Sequence, residues 1–359
     1  MSILAWGVEA LERGWIPDPF TRMIIRQLCR TTLHAGSDSH SVAARDEKFL
    51  DSLRSGPIAL STHEANQQHY ELPAKFFEIV LGPYRKYSCC FFENEDSTLE
   101  QAEKAAIEIT CDRADLKDGQ EILELGCGWG SLTLWLCEHY PQSNVVAVSN
   151  SQRQREYIEG QARRRGLNRL KVITADMNEF SPAACQLGQF DRIVSVEMFE
   201  HLHNFEEVLR RISSWLVPEG KLLVHHFCHK ERCYPYETSG ELNWMGRHFF
   251  TGGIMPNEKL LDGFRNDLKV VNRWNWNGKH YQKTSNAWLQ NLDRNRRAVI
   301  EVFADVYGVD SAERWYHRWR MFFLAVAELF GYSDGEEWYV TQSLLEQVQH
   351  PQSTVRGRA

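Results

Sequence analysis

The stretch EILELGCGWGSLTLWLC, Glu121 to Cys137, decides the fold. EILEL is a short apolar run with the length of a strand, and SLTLWLC continues as a helix. Between them Gly126, Gly128 and Gly130 let the backbone turn sharply and approach a ligand where a Cβ would clash. The spacing is G-x-G-x-G, led by Glu124 on the strand. It is not the G-x-G-x-x-G of dinucleotide sites, which lays a pyrophosphate on a helix N-terminus. An acid at 124 repels pyrophosphate but suits the cationic amino-acid end of S-adenosylmethionine. The bland alternative is a glycine-rich turn with no ligand, and the flanking strand and helix argue against it.

Working outward, strands and helices alternate from Thr98 to about His229: helix LEQAEKAAIEITCDRAD, the strand and helix above, strand NVVAVS, helix QRQREYIEGQARRR, strand LKVITA, strand DRIVSVE, helix FEEVLRRISSWL and strand KLLVHHF. This order demands parallel strands covered by helices, an α/β fold. Ligands of such sheets sit at the C-terminal strand ends. The second strand ends Val148-Ser149-Asn150-Ser151, neutral groups able to hydrogen-bond a ribose diol. The third ends Thr174-Ala175-Asp176-Met177, where Asp176 is either an adenine acceptor or a plain turn cap, with Met177 packing on the ring. The fourth runs into Glu197-Met-Phe-Glu200-His201, two carboxylates and an imidazole suited to holding a cation and moving a proton, or a solvated strand end with a cap.

Outside this core the pattern divides the chain into a helical cap (1–97), the α/β core (98–230), a stretch of aromatic-rich helices and sheet-completing strands (231–348) and a flexible tail (349–359). A polar linker is expected near Ser37–Arg45. LKVVNRWNW and EEWYVTQSLL are strand candidates, the latter placed at the sheet edge. His225, His226, Cys228, His229 and Cys233 match no zinc framework, and strand alternation sends His225 and His226 to opposite faces, so no metal is expected. Aromatics such as Trp244, Phe250, Trp276 and Trp288 read first as packing, with some available to wall a cation-accepting pocket.

Composition narrows the partners. Of 359 residues 43% are hydrophobic and 25% charged, and Lys+Arg 41 against Asp+Glu 48 gives a net charge of -7 with no long block of either sign. A small-molecule substrate is expected and nucleic acid is not. The longest strongly apolar run, Met321 to Phe330, is broken by Glu328 and is about half the roughly 20 residues of a membrane span. The first residues acquire acids early and lack the basic-then-apolar order of a secretory signal. Nine cysteines, an odd number, then read as reduced thiols in a cytoplasmic protein. A homodimer is left open.

These residues resemble the methyltransferases related to cyclopropane fatty acid synthases, and within them the plant coclaurine N-methyltransferase type. The likeness covers nearly the whole chain. It rests on Tyr87-Ser88-Cys89, Thr98-Leu99-Glu100-Gln101-Ala102, the Glu124–Gly130 loop and Phe199-Glu200-His201. Tyr70-Glu71-Leu72-Pro73, Phe330-Gly331-Tyr332 and Gly335-Glu336-Glu337-Trp338 resemble the coclaurine branch. The resemblance implies a Rossmann-like class I methyltransferase sheet with S-adenosylmethionine held by Tyr87, Ser88, Gly126, Ser149, Gln154, Asp176 and Met177. It also implies amine handling by Glu197, Glu200 and His201. The lipid branch usually has Gly where this chain has Glu197, and binds bicarbonate at positions matching Cys89, Glu200, His225 and Tyr281. The coclaurine pattern tends to place Glu at position 225 and Phe at 281, so His225 and Tyr281 depart from it.

The expected activity is methylation of an amine nitrogen, with Glu200 and His201 taking or relaying its proton and Glu197 anchoring positive charge. On that reading His225 is a relic or a packing feature. The alternative enzyme is a methylene transferase to lipid alkenes using bicarbonate as base, through His225 and Tyr281. A non-catalytic cofactor-binding protein is the third reading, opposed by the intact cofactor loops.

Overall fold

The computed structural model describes residues 3–34, 47–60 and 72–349. The Ser37–Arg45 linker, the Tyr70-Glu71 pair and the tail from residue 350 lie outside the described residues. The sheet has seven strands: β1 (Glu121–Leu125), β2 (Asn144–Ser149), β3 (Leu170–Thr174), β4 (Phe190–Val196), β5 (Leu216–His229), β8 (Leu268–Trp276) and β9 (Trp338–Gln347), in the order β3-β2-β1-β4-β5-β9-β8. A second, two-stranded sheet pairs β6 (Tyr234–Pro235) with β7 (Ile254–Met255). The first five strands are parallel. The chain winds from β1 outward to β3, then returns to start again at β4. The crevice between β1 and β4 is therefore the switch point at which such sheets bind ligands.

Local chemistry explains the helices of this core. α4 (Leu99–Arg113) starts at Thr98, whose side chain accepts from Gln101 N while Gln101 caps back, a reciprocal capping box. α5 (Ser131–His139) follows the glycine loop. α6 (Gln152–Arg165) starts on Ser151 and stops at Gly166 with φ 69°, and α7 (Phe205–Trp215) is capped by Asn204. From Ile122 and Val145 onward, strands β1 and β2 are buried on both faces because helices cover both.

The late strand is not at the edge. β9 pairs antiparallel with β5 from Lys221↔Glu346 to His229↔Trp338, and on its other side with β8. The physical reason is burial: Trp338 to Leu345 are all buried, whereas β8 exposes Lys269, Val271, Asn272 and Asn275 to solvent. Charged and polar residues suit the outermost strand.

The remaining helices form one aromatic-rich layer. α1 (Ile3–Glu12), α2 (Asp18–His34), α3 (Ala74–Val80), α8 (Trp244–His248), α9 (Lys279–Arg294), α10 (Arg296–Tyr307) and α11 (Val309–Gly331) surround a core containing Phe76, Phe249, Trp288, Trp319 and Phe323. Ion pairs fasten the N-terminal helices to α11: Arg22–Glu328 at 2.6 Å, Arg320–Asp18 at 2.8 Å and Arg318–Glu12 at 2.9 Å. Among the described residues no helix is long and apolar enough to cross a membrane.

Candidate active site

The glycine loop opens on a cavity above the β1/β4 crevice. Gly126, Gly128 and Gly130 have φ of 79°, 50° and 79°, a left-handed region that side chains rarely adopt. A Cβ at 126 would strike Met198 at 2.7 Å and one at 130 would strike Ile158 at 2.7 Å, but at 128 it would meet nothing within 4 Å. The first and third glycines therefore serve packing, and the middle one keeps the cavity clear.

Tyr87, Ser88, Glu124, Asn150, Asp176 and Met177 line that cavity together with Ser149 and Gln154. Ser149 Oγ donates to Gln154 Oε1 at 2.6 Å, which leaves the buried Gln154 Nε2 with no partner. Ser131 Oγ, also on the cavity wall, is likewise unpartnered. Orphaned buried polar groups of this kind await a hydrogen-bonding ligand, so the site fits S-adenosylmethionine. Asp176 caps the turn, one oxygen accepting from Asn178 N at 2.8 Å, and the residue also lines the cavity. Glu124 is buried with Thr133 as its hydrogen-bond donor, and burial pushes its carboxyl up to about 8.

A second cavity, about 390 Å³, lies beside the first and is walled by Phe227, Tyr236, Phe250, Tyr281, Trp288 and Phe330 among others. Of the aromatics singled out in the sequence, Phe250, Tyr281 and Trp288 reach it, while Trp244 and Trp276 are core. Three residues line both cavities: Tyr87, Glu197 and His201.

Glu197 follows the end of β4 with φ 48°, a left-handed conformation unusual for a residue with a side chain. Its carboxylate accepts from Cys89 N at 2.8 Å through Oε1 and from Tyr281 Oη at 2.6 Å through Oε2, with His225 Nε2 3.4 Å from Oε1. Burial works against its charge, but the imidazole, the nearby Lys86 ammonium and the Tyr281 hydroxyl outweigh it and hold the carboxyl below the usual range. Three positions expected to cradle bicarbonate thus hold a carboxylate of the chain itself. His225 is no isolated packing residue: it is completely buried, with one ring nitrogen toward Glu197 and the other on Gln342.

Glu200 stands behind this wall. It is fully buried on the short turn Phe199–His201, Oε1 accepts from Phe227 N at 2.8 Å, Oε2 has no partner, and burial next to Glu197 drives its carboxyl well up. His201 is pushed down to about 4 by burial, against the pull of Glu197, so its imidazole is neutral at physiological pH and does not titrate near neutrality. Sequence reading missed the wall supplied by α2 (Ile25, Leu28 and Cys29) and the buried Lys86, whose Nζ donates to Ser88 Oγ and Cys89 O, each at 2.6 Å. The one signal for Lys86 was its place directly before Tyr87-Ser88. Among the described residues no group of three His, Cys, Asp or Glu is placed to hold a metal ion.

The sheet order, the acid-led glycine loop and the adjoining cavities define a class I methyltransferase site. The family model described as mycolic acid cyclopropane synthetase matches residues 59–336, and the chain belongs to that family. It is an S-adenosylmethionine-dependent methyltransferase. It is 37% identical over 351 residues to (S)-coclaurine N-methyltransferase of Thalictrum flavum subsp. glaucum, covering 96% of each chain. It is 29% identical over 304 residues to the cyclopropane-fatty-acyl-phospholipid synthase of Escherichia coli, covering 82% of this chain and 73% of that protein. A crystal structure of coclaurine N-methyltransferase bound to N-methylheliamine and SAH superimposes with a TM-score of 0.91 at 35% identity, covering 96% of this chain and 100% of that one.

Proposed function

We propose that this enzyme methylates the nitrogen of a small amine carrying an aromatic or otherwise apolar body. The observation that carries the reading is the placement of Glu197 and His201 at the junction of the cofactor cavity and an aromatic-walled one. An amine is a cation in water and arrives as one. The ionised Glu197, backed by the Cys89 N–H, attracts it, and the aromatic wall buries its body. The neutral His201 takes or passes on the ammonium proton, which leaves a lone pair on nitrogen. S-adenosylmethionine supplies a methyl group on a positively charged sulfur, a good leaving group. The chain's remaining task is alignment of the nitrogen, performed by Glu197, Tyr281 and the aromatic wall. Glu200, held neutral and bonded to Phe227 N, positions the turn carrying His201 and keeps one oxygen free.

Bicarbonate has no part in this reading, since Glu197 fills the cradle of Cys89, His225 and Tyr281. The 37% identity to a coclaurine N-methyltransferase supports the amine over a lipid alkene. A reducing, cytoplasmic setting suits nine cysteines that form no disulfide among the described residues. The test is a screen with labelled S-adenosylmethionine against aromatic amines, thiols and unsaturated phospholipid vesicles. Methylated amine is expected. Cyclopropanated vesicles with no amine product in a broad panel would replace this reading with the lipid one.

A further inference from the structure

Behind Glu197 runs a chain of buried polar groups whose donors and acceptors can be assigned one by one. Gln342 on β9 lies directly across from His225 on β5 in the strand register, and both are 0% exposed. Arg113, at the end of α4, donates from Nη1 to Gln342 Oε1 at 2.6 Å. A guanidinium has no acceptor, so that atom of the amide must be the oxygen. On the other side Thr110 Oγ1 gives its proton to Ala106 O at 2.7 Å. The hydroxyl can then only accept from the amide nitrogen, which lies 3.1 Å away. Both ends of the amide are fixed independently and agree.

The second hydrogen of Gln342 Nε2 points at His225 Nδ1, 2.9 Å distant. His225 Nδ1 must therefore be the bare, accepting nitrogen, and the ring proton sits on Nε2, the atom that faces Glu197 Oε1 at 3.4 Å. Burial keeps the imidazole neutral, with the positive charges of Lys86 and Arg113 acting in the same sense and Glu197 opposing. Glu197 in turn faces Tyr281, Cys89, Lys86 and Glu200.

We propose that Gln342, itself oriented by Arg113, is a positioning residue that locks His225 in the Nε2–H tautomer, so that the ring N–H faces the Glu197 carboxylate at 3.4 Å and the imidazole is barred from taking a proton out of the site. The inference rests on the reading of Glu197 as the anionic anchor of the amine. It assigns a direction to the chemistry: with His225 closed as a base, the amine proton leaves on the His201 side, and Glu197 stays an anion throughout. Carboxylate, imidazole and amide form a series in which each member orients the next, as outer-sphere partners do for a ligating histidine.

The test uses the full chain labelled with 15N in its histidines, with His225→Gln assigning the resonance. Wild type should show Nδ1 unprotonated and Nε2 protonated at neutral and alkaline pH. In Gln342→Met the amide donor is gone, so Nδ1 can bind a proton and both tautomers and the cation become populated. The cation cancels the charge of Glu197, so the acidic limb of the kcat/KM profile for an amine should move up by about one pH unit. The fall in kcat should be about tenfold, with the amine KM changed less than about threefold. Because Gln342 lies in the core, Arg113→Met is the second variant: it leaves the core intact but frees the amide to rotate, and should shift tautomer and limb the same way. Arg113→Lys, which keeps a donor at Oε1, should recover the loss. A wild-type Nδ1–H, or variants in which neither tautomer nor limb moves, overturns the relay. If instead Glu197→Gln turns over amines normally while the tautomer behaves as described, the relay stands and the amine anchor falls.

Discussion

Tyr281 on α9 and Glu197 just after β4 are 84 residues apart in sequence and joined by a 2.6 Å hydrogen bond. This contact ties the C-terminal helices to the mouth of the sheet and explains an otherwise costly backbone. At φ 48° a non-glycine residue loses about 1 kcal/mol or more. Here the cost is offset by the donors that meet the Glu197 carboxylate, so the side chain rather than the turn is what position 197 supplies.

Glu197→Gln keeps the shape and deletes the charge. Amine methylation should fall about ten- to a thousandfold in kcat/KM, in the range seen when a preorganised electrostatic group is lost. Glu197→Gly relieves the backbone and empties the cradle of Cys89 N, Tyr281 Oη and His225 Nε2. Formate or bicarbonate added to that variant should restore part of the activity, and neither should stimulate the wild type. Steady-state rates across an anion titration decide this, and full activity of Glu197→Gln would remove the residue from the chemistry.

The cofactor half of this site was legible in the sequence because its signals are local. Glu124 to Gly130 lie within one strand–turn–helix, and the expected contacts Ser149, Asn150, Asp176 and Met177 stand at strand ends that hydrophobic patterning locates, while Gln154 came from the family resemblance alone. The acceptor half was legible only in part. EEWYVTQSLL was placed at the sheet edge, whereas its Gln342 is buried between β5 and β8 with its oxygen met by Arg113, 229 residues away. Nothing in local spacing announces such a partner. The left-handed backbone of Glu197 and the use of α2 as a cavity wall are likewise products of tertiary packing.

Gly128→Val should weaken S-adenosylmethionine binding at least about tenfold, or roughly 1.4 kcal/mol, by filling the cavity side of the loop and straining φ 50°. Calorimetry on the folded variant is the measurement. Unchanged affinity would take the loop out of the site.

Glu124 makes cofactor affinity depend on pH. With its carboxyl raised to about 8 by burial, it is largely protonated in the ligand-free protein at pH 7. A cationic amino group bound beside it favours the ionised form, so binding releases a proton. Affinity should therefore rise with pH between about 6 and 8, by at most about tenfold per unit, and level off above. Glu124→Gln should flatten the slope. Calorimetry in buffers of different ionisation enthalpy counts the proton directly, and no release at pH 7 would contradict the assignment.

Glu328 should control entry to the amine cavity without touching it. This buried residue on α11 holds two guanidiniums of α2, Arg22 at 2.6 Å and Arg26 at 3.4 Å, and α2 lends Ile25, Leu28 and Cys29 to the cavity wall. The outer side of α2 leaves Phe20 and Met23 more than half exposed, so its hold on the fold comes from the inner face, where this charge cluster sits. Glu328 is buried but Arg22 is partly and Arg26 more than half exposed, so losing its charge costs less than the about 3–5 kcal/mol of a fully buried pair. In Glu328→Gln, Arg22 keeps Asn286 at 2.8 Å, so the loss should be local loosening of α2. The amine KM should rise about three- to tenfold, while the affinity for S-adenosylmethionine, whose cavity α2 does not line, stays at the wild-type value. Salt should reproduce part of this effect, because the guanidinium partners of Glu328 reach solvent and are screened there. Kinetics with a bulky and a compact amine make the comparison sharper, since only the bulky one needs the α2 wall. An unchanged KM for both in a folded variant would show that α2 does not shape the acceptor site.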